Sequence, residues 1–276
     1  MSALPAGKTK NDDCRAPLLR SDHDGIARLT MNNPERRNAL SEAMLTALQG
    51  ALDAIASDPA VRVVILAGDG PAFCAGHDLK EMSARRADGD RGRAYFAEMM
   101  QRCSALMMSI VKLPQPVIAE VASIATAAGC QLVASCDLAI AAEGARFCTP
   151  GVSIGLFCST PMVALSRNLS RKQAMDMLLT GDLVSAEEAC RWGLINRVVA
   201  AGDLHMETEK LAASIARRSP LTIKIGKEAF YRQTEMGLEE AYAYASQVMT
   251  DNMLARDAEE GIGAFLAKRA PEWSGN

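Results

Sequence analysis

The chain has 276 residues, 49% of them apolar, and is therefore long enough to bury one large core. Its 30 basic and 33 acidic side chains nearly balance, which excludes the strong basic field that binding to nucleic acid requires. No apolar run in the sequence approaches the length of a membrane span. Composition and charge therefore predict partners that are neither nucleic acids nor membranes.

The cysteines and the start of the chain bear on metal binding and location. Eight cysteines form no CxxC pair, and three histidines are too few to complete a recognisable metal site. We therefore predict reduced, buried thiols and no metal, which favours a cytoplasmic location. Residues 1–17 are polar, carry two adjacent acids that a transit peptide would avoid, and lack a secretory apolar core. We predict that they form a flexible tail.

The first elements alternate between strand and helix. Residues 25–31 alternate apolar and polar side chains before an Asn-Asn-Pro turn, which predicts a strand. Ser41 is a candidate N-cap for a helix whose apolar side chains recur at helical spacing as far as Ile55. A continuous β-branched run over 61–67, closed by a Gly-Asp-Gly-Pro turn, predicts a buried strand.

The same alternation continues after a charged, flexible stretch over 83–92. A helix is predicted over 94–112, and strands are predicted over 117–121 and 138–142. Strands and helices in this order predict an α/β fold with parallel strands and helices outside.

Beyond Gly155 the pattern is largely helical. Ser170 and Ser185 each precede Gln or Glu at capping-box spacing, and Ser219 precedes a proline suited to a first helical turn. Three helices are predicted over 203–268. Because their apolar faces are too extensive to remain exposed, we expect them to pack on a partner surface.

Two short glycine-centred segments follow apolar, β-rich runs: Phe73-Cys74-Ala75-Gly76-His77-Asp78-Leu79-Lys80 and Ala127-Ala128-Gly129-Cys130-Gln131. They resemble the oxyanion hole of the crotonase family, also called the enoyl-CoA hydratase/isomerase superfamily. Further motifs agree with this family in order: Asn33-Pro34, Arg37-Asn38-Ala39-Leu40, Ala72-Phe73 through Met82, Pro116-Val117-Ile118-Ala119, Cys136-Asp137, Phe147 to Pro150, Leu179-Thr180-Gly181 and Phe265 to Arg269.

The resemblance covers nearly everything from about residue 25 to residue 273. It implies a crotonase (ClpP-like) fold, which is a spiral of β-β-α units followed by C-terminal helices that form a trimer, often as a dimer of trimers. On this basis we expect a flexible tail over 1–17, a crotonase core with an acyl-CoA site over 18–202, and a helical oligomerisation region over 203–276.

By motif position, the backbone N–H groups of His77 and Ala128 would form the oxyanion hole. Two fixed donors stabilise the negative charge that a thioester oxygen gains as an enolate forms. Gln131 and Gly151 stand where hydratases of the family carry two glutamates. Gln131 can orient water or substrate but cannot take a proton at neutral pH, and Gly151 has no side chain. Hydratase activity is therefore expected to be weak or absent.

A coenzyme A thioester is the implied substrate or ligand, and no metal or redox cofactor is implied. Guanidinium groups suit phosphate oxygens, so Arg36 and Arg37 are candidates for the coenzyme A phosphates, although a solvated basic turn explains them equally well. The resemblance assigns further coenzyme A contacts, the last two reaching a neighbouring subunit in relatives: Ala39, Ala75, Asp78, Leu79, Lys80, Phe265 and Lys268.

Two functions remain open at this point. The first is an enzyme of fatty-acid or related acyl-CoA metabolism, for which decarboxylation, isomerisation and thioester cleavage are as open as hydration. The second is a non-catalytic acyl-CoA-binding or scaffold protein. The His77 ring is a candidate to replace the missing glutamates. Cys74, Cys130 and Cys158 lie near the site in sequence but are better explained as buried packing residues, because no paired histidine is identifiable.

Overall fold

Two β-sheets organise the computed structural model, which describes residues 16–276. The larger sheet has the order β1-β2-β3-β5-β7-β10 and contains Leu18–His23 (β1), Ile26–Met31 (β2), Val63–Gly68 (β3), Val117–Val121 (β5), Leu138–Ala142 (β7) and Arg197–Val199 (β10). The smaller sheet has the order β4-β6-β8-β9 and contains Ala72–Cys74 (β4), Ile124–Thr126 (β6), Arg146–Cys148 (β8) and Val184–Ser185 (β9).

The chain winds through these sheets as a spiral of β-β-α units. Each of the pairs β3–β4, β5–β6 and β7–β8 gives one strand to each sheet, and helices follow each pair. This architecture confirms the predicted crotonase fold. In chain order the helices are Glu42–Ala56 (α1), Leu79–Ala84 (α2), Arg93–Lys112 (α3), Ala128–Ser135 (α4), Pro161–Asn168 (α5), Arg171–Thr180 (α6), Ala186–Trp192 (α7), Leu204–Ala216 (α8), Pro220–Gln233 (α9), Leu238–Met253 (α10) and Arg256–Leu266 (α11).

Helices cover both faces of the larger sheet. On β3, Val64 and Leu66 face the core beneath α1 and α3, whereas Val63 and Ile65 face α8. A strand buried on both faces has no polar alternation, which explains the continuous β-branched run in its sequence. The strands β2, β3, β5 and β7 pair in parallel, as the alternation of elements predicts.

The structure differs from the sequence predictions at two points, and a third prediction is largely untested. The polar edge strand β1, antiparallel to β2, was not expected, because five of its six residues are exposed and carry no core pattern. The region over 203–268 holds four helices and not three, because the helical pattern is interrupted at Ser219, Gly237 and Ala255. Most of the predicted tail over 1–17 lies outside the described residues.

Within residues 16–276, no helix combines the length and apolar character needed to cross a membrane. The capping boxes predicted at Ser170 and Ser185 are both formed, and Ser219 caps α9. The domain division into 18–202 and 203–276 stays a prediction.

A buried ion pair attaches the C-terminal helices to the core. Lys227 on α9 donates from Nζ to Asp137 Oδ2 at 2.7 Å and to the carbonyl oxygens of Ile110 and Gln115 at 2.9 and 3.0 Å. Tyr231, one turn further along α9, donates to Asp137 Oδ1 at 3.0 Å. The Lys227 side chain is only 7% exposed, so the charged pair is held away from solvent.

We expect Lys227→Met to lower the free energy of unfolding by about 3–5 kcal/mol, because it leaves the Asp137 carboxylate buried without its cation. Lys224→Met, one turn earlier on the same helix and exposed, is the matched control and should change stability by less than about 0.5 kcal/mol. Urea denaturation at a fixed protomer concentration measures both. Equal midpoints for the two variants would contradict the anchoring role.

Candidate active site

The two glycine-centred segments lie against each other in the structure. They follow β4 and β6, which pair in parallel, so both segments leave the smaller sheet at the same edge. A methyl group on Gly129 would overlap the carbonyl oxygen of Cys74, and one on Gly76 would lie 3.1 Å from the backbone nitrogen of Ala128. Thr126 adds a hydrogen bond from Oγ1 to the Ala75 carbonyl oxygen at 3.0 Å. Glycine is required at this crossing because the backbones touch.

A sharp turn places the start of α4 beside the first segment. Ala127 has a φ of 49°, a left-handed value that is unusual for a residue with a side chain, and its N–H donates to the Cys148 carbonyl oxygen at 2.9 Å. Ala128 is the first residue of α4, so its N–H has no partner in a preceding helical turn. The positive end of the helix dipole and a backbone donor therefore meet at this point.

The first segment is fixed from its other side by the loop before α1. Leu40 N–H donates to the Gly76 carbonyl oxygen at 2.8 Å, and Leu40 and His77 form a parallel bridge. Ala75 N–H donates to the Arg37 carbonyl oxygen at 3.0 Å. His77 thus lies between the α1 loop and the start of α4.

Asn38 holds that loop in place, a role that its sequence motif alone did not indicate. Its fully buried side chain donates to the carbonyl oxygens of Asp69 and Ala72, both at 2.8 Å, and accepts from Asn33 N–H at 2.8 Å. Its φ is 52°, a left-handed conformation that asparagine tolerates better than most residues. The asparagine within the Arg37-Asn38-Ala39-Leu40 motif was the available signal.

Each of the two segments contains buried polar atoms without partners, as do Tyr95, Gln115 and Asn252 elsewhere in the described residues. Within the described part of the chain, Gln131 Oε1 and both ring nitrogens of His77 have no hydrogen-bond partner, although all three atoms are buried. Burial lowers the pKa of His77, so the ring is neutral at pH 7. Because buried polar groups are nearly always paired, these atoms indicate a place for a polar ligand or for water.

Gly151 has no space for a side chain. It lies in a 3₁₀ turn over Pro150–Ile154 and does not have a positive φ. A first side-chain carbon would lie 2.8 Å from the Leu156 carbonyl oxygen and 2.9 Å from Cys158 Sγ. The obstacle to a side chain is thus the chain at 156–158 and not the backbone conformation of the glycine.

The candidate coenzyme A residues adjoin the first segment. Arg36, half-exposed, donates from a guanidinium nitrogen to Asp78 Oδ2 at 2.8 Å. Asp78 also caps α2 by accepting from the N–H groups of Lys80 and Glu81. Burial opposes the effect of these partners, but the net pKa of Asp78 is lowered, so it is ionised at neutral pH. Its carboxylate is thus occupied in holding Arg36 and α2.

The other candidate coenzyme A residues differ in how far they are exposed to solvent. Arg37, Leu79 and Lys80 are exposed on or beside the first segment, Ala75 is partly buried, and Ala39 is buried. Phe265 and Lys268 lie at the end of α11, which packs against α9 and α10, and Phe265 is 82% exposed. The coenzyme A roles of all these residues stay predictions.

We expect Gly129→Ala to destabilise the protein by about 1–3 kcal/mol or more, because its methyl group meets the backbone carbonyl of Cys74, which cannot rotate away. Gly50→Ala is the matched control, since it lies in α1 with open space around the new methyl group. That control should stabilise the helix by about 0.5–1 kcal/mol. Thermal unfolding checks both, and melting temperatures that shift together would contradict the close packing.

Comparison with known proteins gives a consistent set of relatives. A family model described as enoyl-CoA hydratase/isomerase matches residues 21–276. The mitochondrial enoyl-CoA hydratase domain-containing protein 3 of Homo sapiens is 47% identical over 98% of this chain and 88% of its own length. A crystal structure of the human protein superposes with a TM-score of 0.89, 47% identity, and coverage of 93% of this chain and 100% of that one. A crystal structure of an enoyl-CoA hydratase from Mycobacterium smegmatis superposes with a TM-score of 0.90. The two chains are 52% identical, and the match covers 94% of this chain and 99% of that one.

The prediction of a cytoplasmic location is wrong by this comparison. Five vertebrate relatives with 45–47% identity are named as mitochondrial proteins. Reduced, buried thiols were a weak argument for the cytoplasm, because they indicate a reducing environment and not a particular compartment.

The resemblance noted in the sequence is confirmed, since the family model spans most of the chain and the relatives match it nearly end to end. The fold agrees as well, at a TM-score of 0.90. The chain belongs to the enoyl-CoA hydratase/isomerase family.

Proposed function

We propose that this protein acts in acyl-CoA metabolism by binding an acyl-CoA thioester and stabilising its enolate with the backbone N–H groups of His77 and Ala128. The observation that carries the proposal is the contact between the two hole segments, in which Gly129 packs on the Cys74 carbonyl. This contact supports a rigid pair of donors. Donors fixed before the reaction stabilise developing charge without reorganisation, and loss of one such donor typically costs about 10²- to 10³-fold in rate.

The surroundings of the hole support an anionic, partly apolar ligand. Arg36 and Arg37 lie on the turn that is hydrogen-bonded to Ala75, and Lys80 lies on the first turn of α2. These cations suit the phosphates of coenzyme A, and Asp78 keeps Arg36 oriented through its ion pair. Leu79, 53% exposed beside the hole, offers apolar contact to the pantetheine arm.

Hydration is the least supported reaction for this site. Gln131 carries an amide in place of a proton-accepting carboxylate, and the chain at 156–158 fills the space beside Gly151. Each missing acid or base costs roughly 10²- to 10⁴-fold in rate. A purely acyl-CoA-binding role is the second candidate, favoured by the same two positions.

We expect the protein to bind butyryl-CoA and crotonyl-CoA in calorimetric titration, and to hydrate crotonyl-CoA at least about 10²-fold more slowly than a family hydratase with both glutamates. Arg36→Ala should weaken binding of the CoA thioesters but not of the corresponding pantetheine thioesters, which lack the nucleotide phosphates. Failure to bind any acyl-CoA would refute the proposal. Rapid hydration would show that another side chain replaces the glutamates.

The C-terminal helices support a trimeric assembly, alone or as a dimer of trimers. Tyr242, Met249 and Met253 recur at seven- and four-residue spacing, so they share one face of α10. An exposed apolar surface this large normally contacts another protein surface. The exposed apolar side chains of α9 to α11 and the adjoining turn are Phe230, Leu238, Tyr242, Met249, Met253, Leu254, Ile262, Phe265 and Leu266.

We expect light scattering at micromolar concentration to give a trimer or hexamer for the unmodified chain. The double change Met249→Glu with Met253→Glu should dissociate it, because it buries charge in an apolar interface. Met206→Glu, an equally exposed methionine on α8, is the control and should leave the assembly unchanged. A monomeric unmodified chain would rule out this assignment.

A further inference from the structure

The turn before α1 contains two consecutive residues in an unusual backbone conformation. Arg37 and Asn38 both have a φ of 52°, in the left-handed region that residues with side chains seldom adopt. Such a conformation persists only where the surrounding structure enforces it, and it is often found at functional sites. The turn therefore needs a group that holds it in this shape.

The buried amide of Asn38 supplies that group. Its Nδ2 donates to the carbonyl oxygens of Asp69 and Ala72, and its Oδ1 accepts from Asn33 N–H, all at 2.8 Å. A methyl group on Gly68, at the end of β3, would lie 3.0 Å from this Nδ2, so the amide is packed without spare room. Asparagine is also among the residues that best tolerate a left-handed backbone. Position 38 thus combines the strained conformation with the contacts that fix it.

The other side of the turn is hydrogen-bonded to the first glycine-centred segment. The Arg37 carbonyl oxygen accepts from Ala75 N–H at 3.0 Å, and Leu40 N–H donates to the Gly76 carbonyl oxygen at 2.8 Å. These two bonds hold the residues that immediately precede His77. A displacement of the turn is therefore passed directly to this segment.

The bond from Leu40 also sets the direction of the His77 N–H. The Gly76 carbonyl and the His77 N–H belong to one peptide unit, which is planar and trans, so the two groups point in opposite directions. Because Leu40 fixes the carbonyl, the N–H is directed away from the loop before α1. This N–H donates to no backbone carbonyl among residues 16–276, and it is therefore available to a ligand.

We propose that Asn38 is a positioning residue for enolate stabilisation: its amide holds the left-handed turn that directs the His77 N–H at the thioester oxygen. The inference rests on the proposed function and adds to it the side chain that orients one of the two donors. Asn38 acts without touching the ligand, because its side chain is fully buried and its hydrogen-bonding atoms are occupied. Its effect should therefore appear in the negative charge that the bound ligand can carry, whatever the affinity for coenzyme A.

Ionisation of bound acetoacetyl-CoA tests the proposal, because this ligand forms a stable enolate with its own near-ultraviolet absorbance and needs no base from the protein. We expect the unmodified protein to lower the pKa of the bound ligand. Asn38→Ala loses the amide and disfavours the left-handed backbone. It should reduce the ionisation constant of the bound ligand by about 10²-fold, a cost typical of misplacing a group by about 1 Å. Asn38→Gly keeps the backbone conformation and should retain part of the effect.

Gln115→Ala is the matched control. Gln115 is likewise a buried amide that holds a loop, and its Nε2 donates to the carbonyl oxygens of Ile55 and Val61 at 2.9 and 3.3 Å. That loop precedes β3, whereas the contacts of Asn38 follow it, so the two amides lie at opposite ends of the strand. We expect Gln115→Ala to lower the urea midpoint as Asn38→Ala does, and to leave the ionisation of the bound ligand unchanged.

An unchanged ionisation constant in every folded Asn38 variant, with the ligand bound, overturns the proposal. Equal losses in Asn38→Ala and Gln115→Ala also overturn it, because lost stability would then explain both. Binding of acetoacetyl-CoA to the unmodified protein without a lowered pKa refutes enolate stabilisation, and the role of Asn38 with it, but leaves acyl-CoA binding intact. Absence of binding removes the proposed function itself. Calorimetric titration of every variant distinguishes these outcomes.

Discussion

The site depends on a steric contact between two backbones. Gly129 packs on the Cys74 carbonyl, and Gly76 packs on the backbone of Ala128. Side chains at the two glycines would push the ends of β4 and β6 apart and separate their N–H groups. Because interiors are densely packed and yield little, this contact fixes donor positions more firmly than flexible side chains could. The strained turn at Ala127 is tolerated because the strands and α4 hold it on both sides.

Polar side chains fix the loops around this contact. Asn38 ties the basic turn to the end of β3, Asp78 ties Arg36 to α2, and the Lys227 and Asp137 pair ties α9 to the core. Each is satisfied by several partners, as buried polar groups require. In contrast, Gln131 and His77 have buried atoms that no described residue satisfies. Unsatisfied atoms also occur on Tyr95, Gln115 and Asn252, so what distinguishes Gln131 and His77 is that both lie in the two glycine-centred segments.

Much of the frame was predictable from the sequence because it depends on local patterns. The run over 61–67 predicted β3, and the helical spacing after Ser41 predicted α1. The motif order predicted the spiral of strands and helices and singled out the two glycine-centred segments that meet in it. The edge strand β1 was missed because its side chains face solvent, and the count of C-terminal helices was wrong because short breaks at residues such as Gly237 do not interrupt the apolar pattern.

Local patterns could not predict which side chain fills the space beside Gly151. Cys158 lies seven residues further along the chain, and only the turn between them brings its sulfur back onto the glycine. The sequence shows a glycine at position 151 but not the group that fills the space beside it. The left-handed conformation of Asn38 was likewise invisible without the loop it stabilises. Non-local contacts of this kind need the folded backbone.

The filled space beside Gly151 also constrains which sequences this turn can accept. A carboxylate at position 151 meets the Leu156 carbonyl as well as the Cys158 sulfur, so a single codon change to an acidic residue produces a clash and not a working acid. A reshaped turn and a smaller residue at 158 are needed before such a side chain is tolerated. Position 151 is therefore epistatic: the residue it accepts depends on the chain at 156–158 and cannot be judged from that position alone.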